Sequence, residues 1–331
     1  MEKPLLFNVN GDDSFGAQTL IGGNPTGVCN LNNVRHGWAK KSYQKMVGDF
    51  WLPQKVSMAD ATITDLTKFE LEALKDTLSF LIFLDSFQVN NLPNVADYIT
   101  SPAVKNVLTV QAFQEVVHAE SYQYILEALF QPDERDEVYD RWKSDPSLAK
   151  RNKWVADIAQ AFVDDPTTEN FYKVCLANYA LEGLFFYSGF NFFDQLSHRG
   201  KLVPPAKIID YIRRDEHSHL GNFVNIIKEL DIDKQLILDV LSEASAIETE
   251  RTVSTYGNAI EGISIKSSVQ HQQWLLDDRL TRLGMEKIHN VSNPYSSIDA
   301  ASEEGSSREN FFESTVTSYV VASSVDGWDD F

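Results

Sequence analysis

Cysteine is nearly missing: Cys29 and Cys175 are the two in 331 residues, far apart and outside any C-x-x-C pair. That excludes a disulfide framework and a thiolate zinc site, and it fits a reducing compartment. Basic residues are also scarce. Lys and Arg number 29 against 48 Asp and Glu, a formal net charge of -19. An excess of that sign argues against binding to nucleic acid or to an anionic membrane. The opening residues Met1-Glu2-Lys3-Pro4 carry no apolar signal-peptide core, and no apolar run is long and charge-free enough to span a bilayer. A cytoplasmic protein is expected. The chain has no Gly-rich phosphate loop and no dinucleotide fingerprint. Nothing in it looks built to bind a nucleotide or to deliver reducing thiols.

What is present is helical. Hydrophobic residues make up 43% of the chain, enough for a substantial core in one elaborated helical domain. Glycine and proline thin out in the middle, and no segment alternates with period two. Residues 1–33 are rich in Asn, Gly and Asp and read as an irregular arm. Helices are expected over 34–49, over 67–91 behind a Thr67-x-x-Glu70 capping box, and over 102–129 behind Ser101-Pro102. Asp145-Pro146 and Asp165-Pro166 should open two more, the second running to 197. Pro204-Pro205 introduces a helix to 229, and two others fit 233–254 and 258–285. Long helices with short connections make an all-α bundle, the main domain covering 34–290.

Two copies of Glu-x-x-His stand far apart in this frame: Glu115 with His118, and Glu216 with His219. Each follows a lone carboxylate in an apolar run, Asp85 before the first and Glu182 before the second. The stripe Val104, Val107, Leu108, Ala112, Glu115, His118, Tyr122, Ile125 keeps helical spacing, so its ionisable members face the core. Asp85 continues Leu74, Leu78, Leu81 and Ile82, while Glu216 and His219 continue Ile208, Ile209 and Ile212. The segment around Glu182 is apolar on all sides and therefore central.

A buried unpaired carboxylate costs several kcal/mol or gives up its charge. Four in one core need a cationic partner. Lys and Arg are missing from these stripes, with Arg213 and Arg214 on another face, so divalent metal is the economical explanation. A lone Glu-x-x-His is weak and a lone buried histidine is usually a hydrogen-bonded core residue. Two such pairs, each matched with a carboxylate on another helix, are the donor set of a dinuclear centre. Oxygen and imidazole donors suit iron or manganese, make copper a poor fit, and do not choose between the first two. Tyr122, one turn beyond His118, reads by itself as a core tyrosine. Beside an oxidising metal pair, and shielded by a wall that could include Phe186, Phe190 and Ile212, it could lose an electron and a proton and persist as a radical.

At these residues the chain resembles the small, radical-generating subunit of class I ribonucleotide reductase. The resemblance rests on Leu84-Asp85-Ser86, on Phe113-Gln114-Glu115-Val116-Val117-His118-Ala119-Glu120-Ser121-Tyr122, on Ala180-Leu181-Glu182-Gly183 and on Arg214-Asp215-Glu216-His217-Ser218-His219-Leu220. It implies a ferritin-like helical bundle and an oxidoreductase of deoxyribonucleotide biosynthesis. It assigns Asp85, Glu115 and His118 to one metal and Glu182, Glu216 and His219 to the other, with Glu115 and Glu216 bridging. It further implies two iron ions, or manganese as the alternative, and dioxygen as the oxidant that makes Tyr122 a tyrosyl radical. Trp51 matches the family's radical-transfer tryptophan, and Asp215 the carboxylate linking it to His118. Tyr319 resembles the tail tyrosine that passes the radical equivalent onward, and a homodimer and a separate large subunit are the implied partners.

From residue 291 the chain turns Ser-rich and acidic, with aromatics in Thr317-Ser318-Tyr319-Val320-Val321 and Gly327-Trp328-Asp329-Asp330-Phe331. Composition alone allows a docking peptide that orders on binding or an inert solubilising tail. The resemblance implies docking to the large subunit. Two rival functions use the same donor set. A dinuclear oxidase or oxygenase would need an open apolar substrate cavity and leaves Trp51 and Tyr319 unexplained. Iron storage in a cage fits poorly with a long accessory region.

Overall fold

The computed structural model describes residues 1–32 and 34–296. Tyr319 and the aromatic docking segment lie outside them. Met1–Pro294 forms one compact unit. Its helices are α1 (Gly37–Gly48), α2 (Lys68–Ala96), α3 (Pro102–Leu129), α4 (Pro132–Ser144), α5 (Pro146–Asp164), α6 (Thr168–Ala180), α7 (Phe186–Ser197), α8 (Val203–Glu229), α9 (Lys234–Tyr256) and α10 (Ile265–Arg282). The arm before α1 is non-helical and is tied down by an isolated bridge between Ile21 and Ile99.

The central layer is α2 against α3, α3 against α8, and α6 against α8. These elements bring two helix pairs face to face. Their apolar stripes supply the core: Leu74, Leu78 and Leu81 from α2, Val104 and Val107 from α3, Ile208, Ile209 and Ile212 from α8, all buried. Around this layer, α1 lies on α3 and α8, while α9 and α10 pack on each other and on the segment joining α6 to α7.

Several helix ends follow the expected chemistry. The Thr67 hydroxyl accepts from Glu70 N–H at 3.2 Å, and the Glu70 carboxylate accepts from Thr67 N–H at 2.8 Å, closing the capping box. Asp145 caps α5 by accepting from the N–H groups of Ser147 and Leu148. Others differ. Ser101 precedes Pro102 as expected but its side chain makes no capping bond. Thr167, not Asp165, caps α6, accepting from Asn170 N–H. Ser264 caps α10, which starts at Ile265 instead of 258. The helix α2 continues through Pro93 to Ala96 instead of stopping near 91. Proline inside a helix costs about 3 kcal/mol, but the extra turn buries Leu92 and Val95 completely. Burial of two such side chains offsets that at about 1.5–3 kcal/mol each.

Two features have no counterpart in the sequence reading. One is α4, a polar helix whose only buried residue is Val138. The other interrupts the long helix expected over 166–197: Leu181–Phe185 forms a π-helical turn, closed by Phe186 N–H donating to the Leu181 carbonyl. That turn carries Glu182.

Candidate metal centre

Helical spacing places each polar group of the centre. On α3, Glu115 and His118 lie one turn apart, and Tyr122 follows on the same buried face. On α8, Glu216 and His219 repeat the arrangement. Asp85 enters from α2 and Glu182 from the π turn. All six side chains are completely buried, and they converge.

The convergence has two halves. Asp85, Glu115, His118 and Glu216 present donor atoms within 4.8 Å of one another, as do Glu115, Glu182, Glu216 and His219. His118 Nδ1 is 3.1 Å from Asp85, 3.3 Å from Glu115 Oε2 and 3.0 Å from Glu216 Oε1. His219 Nδ1 is 3.2 Å from Glu115 Oε1, 3.0 Å from Glu216 Oε2 and 3.7 Å from Glu182. Glu115 and Glu216 thus each turn one oxygen to each half, whereas Asp85 serves the first half and Glu182 the second.

One N–H cannot satisfy three carboxylate oxygens at once; a divalent cation can. The oxygens left over point the same way. Asp85 Oδ2, both Glu115 oxygens, Glu182 Oε2 and Glu216 Oε1 are buried without a hydrogen-bond partner. Among the described residues the cluster's carboxylates form ion pairs with the two histidines and with no lysine or arginine. The residues therefore fit a pair of divalent ions.

Protons stand in for that charge in the metal-free chain. Burial pushes Asp85 and Glu182 well above the usual carboxylate range; at Asp85 the hydrogen bond and charge of His118 oppose it without prevailing, and neighbouring carboxylates push both further. Burial alone would raise Glu216 too, but His219, the hydrogen bond with Glu182 and His118 outweigh it and hold Glu216 low. Burial would likewise lower both histidines. The facing carboxylates prevail, and His118 and His219 bind protons far more tightly than free imidazole. Burial, then the charges of Asp85 and Glu216, raise the Tyr122 phenol well above its ordinary value. Its hydroxyl has no hydrogen-bond partner.

The outward nitrogen of each imidazole has a different neighbour. His118 Nε2 lies 3.4 Å from Asp215 Oδ2, which also accepts from Trp51 Nε1 at 2.7 Å. Trp51 is buried beside His118 at 6.3 Å between ring centroids and stacks on Tyr211 at 5.0 Å. His219 Nε2 is 2.9 Å from the Gln114 amide oxygen. These contacts leave Nδ1 of both rings as the inward donor. Glu182 Oε1 accepts from Gln111 at 2.9 Å and from Gln88. An apolar cavity of about 200 Å³ between α1 and α3 reaches Trp51, Gln114 and Asp215 from outside, and none of the six inward donors lines it.

Comparison with known proteins gives the same picture. Residues 28–294 match the family described as ribonucleotide reductase, small chain. The chain is 34% identical to the ribonucleoside-diphosphate reductase subunit beta of Treponema pallidum over 98% of its own length and 97% of that protein. The chain belongs to the ribonucleotide reductase small chain family. It is a subunit of an oxidoreductase. A solved ribonucleotide reductase R2 subunit from Clostridium botulinum is 35% identical, with a TM-score of 0.88 over 91% of this chain and 99% of that one. A dimanganese(II) protein from Streptococcus sanguinis, 21% identical, shares the fold with a TM-score of 0.71.

The ferritin-like bundle expected from the resemblance is therefore the fold, and the centre sits in its core. All six donors, Trp51, Tyr122 and Asp215 fall inside the region matched to the small chain family, while Tyr319 falls beyond it. The sequence reading passed over Gln88, Gln111 and Gln114. The available signal was a run of glutamines on buried faces, three residues after Asp85, four before Glu115 and one before Glu115. Ala112, placed on the buried stripe, is half-buried, and Gln111 beside it is the residue turned inward.

No helix among the described residues is long and apolar enough to cross a membrane.

Proposed function

We propose that the chain uses dioxygen at a dinuclear metal centre to generate and store a radical on Tyr122, for use by a separate large subunit in reducing ribonucleotides. The observation that carries this reading is one nitrogen of His118 facing three buried carboxylates on the face that also holds Tyr122. Asp85, Glu115 and His118 would hold one ion, Glu182, Glu216 and His219 the other, with Glu115 and Glu216 shared. Iron is the default occupant. Manganese is the alternative, as in the Streptococcus sanguinis relative. When bound, the metal pair supplies the oxidising power of dioxygen to the side chains around it.

The chain's own residues account for the rest. Tyr122 is fully buried, so a phenoxyl there is shielded from water. Its raised pKa keeps the resting phenol protonated, so oxidation must remove a proton with the electron. Asp85, whose charge raises the phenol, would receive that proton. Asp215 holds the indole N–H of Trp51 and faces His118, which gives a route for an electron inward from the surface beside α1 as the oxidising equivalent passes outward from the centre. Tyr319 would extend that route, and the segment after residue 291 would dock the large subunit. A homodimer in the cytoplasm completes the reading.

The test is aerobic reconstitution of the full chain with Fe(II), and separately with Mn(II), followed by metal analysis and EPR. Wild type should take up two metal ions per chain and, in at least one series, give a tyrosyl signal. Tyr122→Phe should bind the same metal, give no radical and support no turnover with the large subunit. Turnover retained in that variant sinks the radical assignment.

A further inference from the structure

The π turn that carries Glu182 is held by a residue from outside the four-helix layer. Arg279, on α10 and almost completely buried, donates from Nε to the Gly183 carbonyl at 2.8 Å. The guanidinium also lies over the Tyr187 ring, 4.5 Å from its centroid, and its Nη1 pairs with Asp278. One turn before Glu182, the Tyr179 hydroxyl donates to the main-chain carbonyl of Arg279 at 2.8 Å. Helix α10 is thus hydrogen-bonded to the site-bearing segment on both sides of Glu182.

Gly183 makes the approach possible. A Cβ there would fall 2.8 Å from Leu220 Cδ1 and 2.9 Å from Arg279 Nε. Leu220 is the neighbour of His219, so the same glycine lets α8 close on the turn. A π turn spends one more residue per hydrogen-bonded ring than an α-helix and is weaker for it, so such turns persist where something outside the helix supports them. Here the support is a buried charge-assisted bond to a main-chain carbonyl next to a metal donor.

We propose that Arg279 is a positioning residue for Glu182. It fixes the widened turn through the Gly183 carbonyl and so sets the half of the centre built on Glu182 and His219. The other half, on Asp85 and His118, has no part in this contact. The inference rests on the dinuclear reading above for its metal readout, and a second readout on metal-free protein stands apart from it.

Two variants of the full chain test it, Arg279→Met and Gly183→Ala, with Tyr179→Phe as a control that leaves the carbonyl contact in place. Mn(II) titration should show two ions per chain in wild type and Tyr179→Phe. In Arg279→Met one ion should bind at least tenfold more weakly and the other unchanged. Adding His219→Ala to Arg279→Met should weaken the same ion further and spare the other, whereas adding His118→Ala should weaken the ion that Arg279→Met left unchanged. Arg279→Lys, which keeps a cationic donor, should recover part of the loss. In metal-free protein, amide hydrogen exchange within 183–187 should quicken at least tenfold in Arg279→Met while α3 is unchanged. Gly183→Ala should give the same pattern if Arg279→Met does not fold. Parallel weakening of both ions, or exchange quickened equally in α3, would reduce Arg279 to a general packing residue and overturn the proposal. Wild type binding fewer than two ions would count against the dinuclear reading, and the exchange result alone would then decide the role of Arg279.

Discussion

Asp215 offers the sharpest test of how the centre is tuned. Its carboxylate is nearly inaccessible, and a single oxygen, Oδ2, serves Trp51 at 2.7 Å and His118 at 3.4 Å. Asp215→Asn keeps the shape and removes the charge. Hydrogen bonds to charged groups contribute about 1.5–3 kcal/mol against about 0.5–1.5 for neutral ones, so each contact should weaken by roughly 1 kcal/mol. For the short indole bond this is a cost in stability. For His118 it lowers the basicity of the donor nitrogen, and an outer partner of a metal-bound imidazole is generally worth about 10–100-fold in affinity. The long 3.4 Å contact puts this case at the lower end, about tenfold or ~1.4 kcal/mol. Asp215→Ala goes further and strands a buried indole N–H, costing about 1–3 kcal/mol more in folding free energy. The assay is Mn(II) titration of both variants alongside urea unfolding of the metal-free chains. One ion should bind about tenfold more weakly in Asp215→Asn while the second keeps wild-type affinity, because the second imidazole leans on Gln114. Equal weakening of both ions, or none, would refute the pairing of Asp215 with His118.

Two other outcomes follow from the electrostatics. Asp85, Glu182, His118 and His219 all bind protons more tightly in the folded, metal-free chain than when unfolded. Their stabilising contribution is complete below the unfolded values, about 4 for the acids and about 6.5 for the histidines, and is lost as pH rises toward the folded ones. Metal displaces those protons, so the rise in Tm on adding Mn(II) should grow from pH 6 to pH 8 in scanning calorimetry, and a shrinking rise would contradict the charge assignment. Away from the centre, the buried Glu248 carboxylate holds Arg251 at 2.7 Å and Arg151 at 3.4 Å, both guanidiniums lying over the Phe80 ring. Glu248→Gln leaves two buried cations without their shared counter-charge and should destabilise by about 3–5 kcal/mol in urea unfolding, with a loss under 1 kcal/mol showing that other groups neutralise them.

What the chain disclosed in advance was whatever depends on helical periodicity. Glu-x-x-His is legible because a three-residue step puts both groups on one face, and an apolar stripe says which face is inward. Those two facts together turn the donors of α3 and α8 toward one core. Glu182 was legible only as central, since Leu181, Gly183, Leu184 and Phe185 are apolar in every direction and give no phase to read. The π turn beneath it is equally invisible, and Arg279, whose Nε reaches the Gly183 carbonyl of that turn, stands 96 positions away in the sequence. The helix α4 escaped for the opposite cause, having almost no apolar face. Gln88, Gln111 and Gln114 were passed over because a neutral amide on a buried stripe looks like an imperfection in it. In the folded chain they are the donors and acceptor that orient Glu182 and His219 without adding charge. A centre that already holds four carboxylates gains more from neutral neighbours than from further anions, so the residues that tune it are the ones composition and charge patterns mark least.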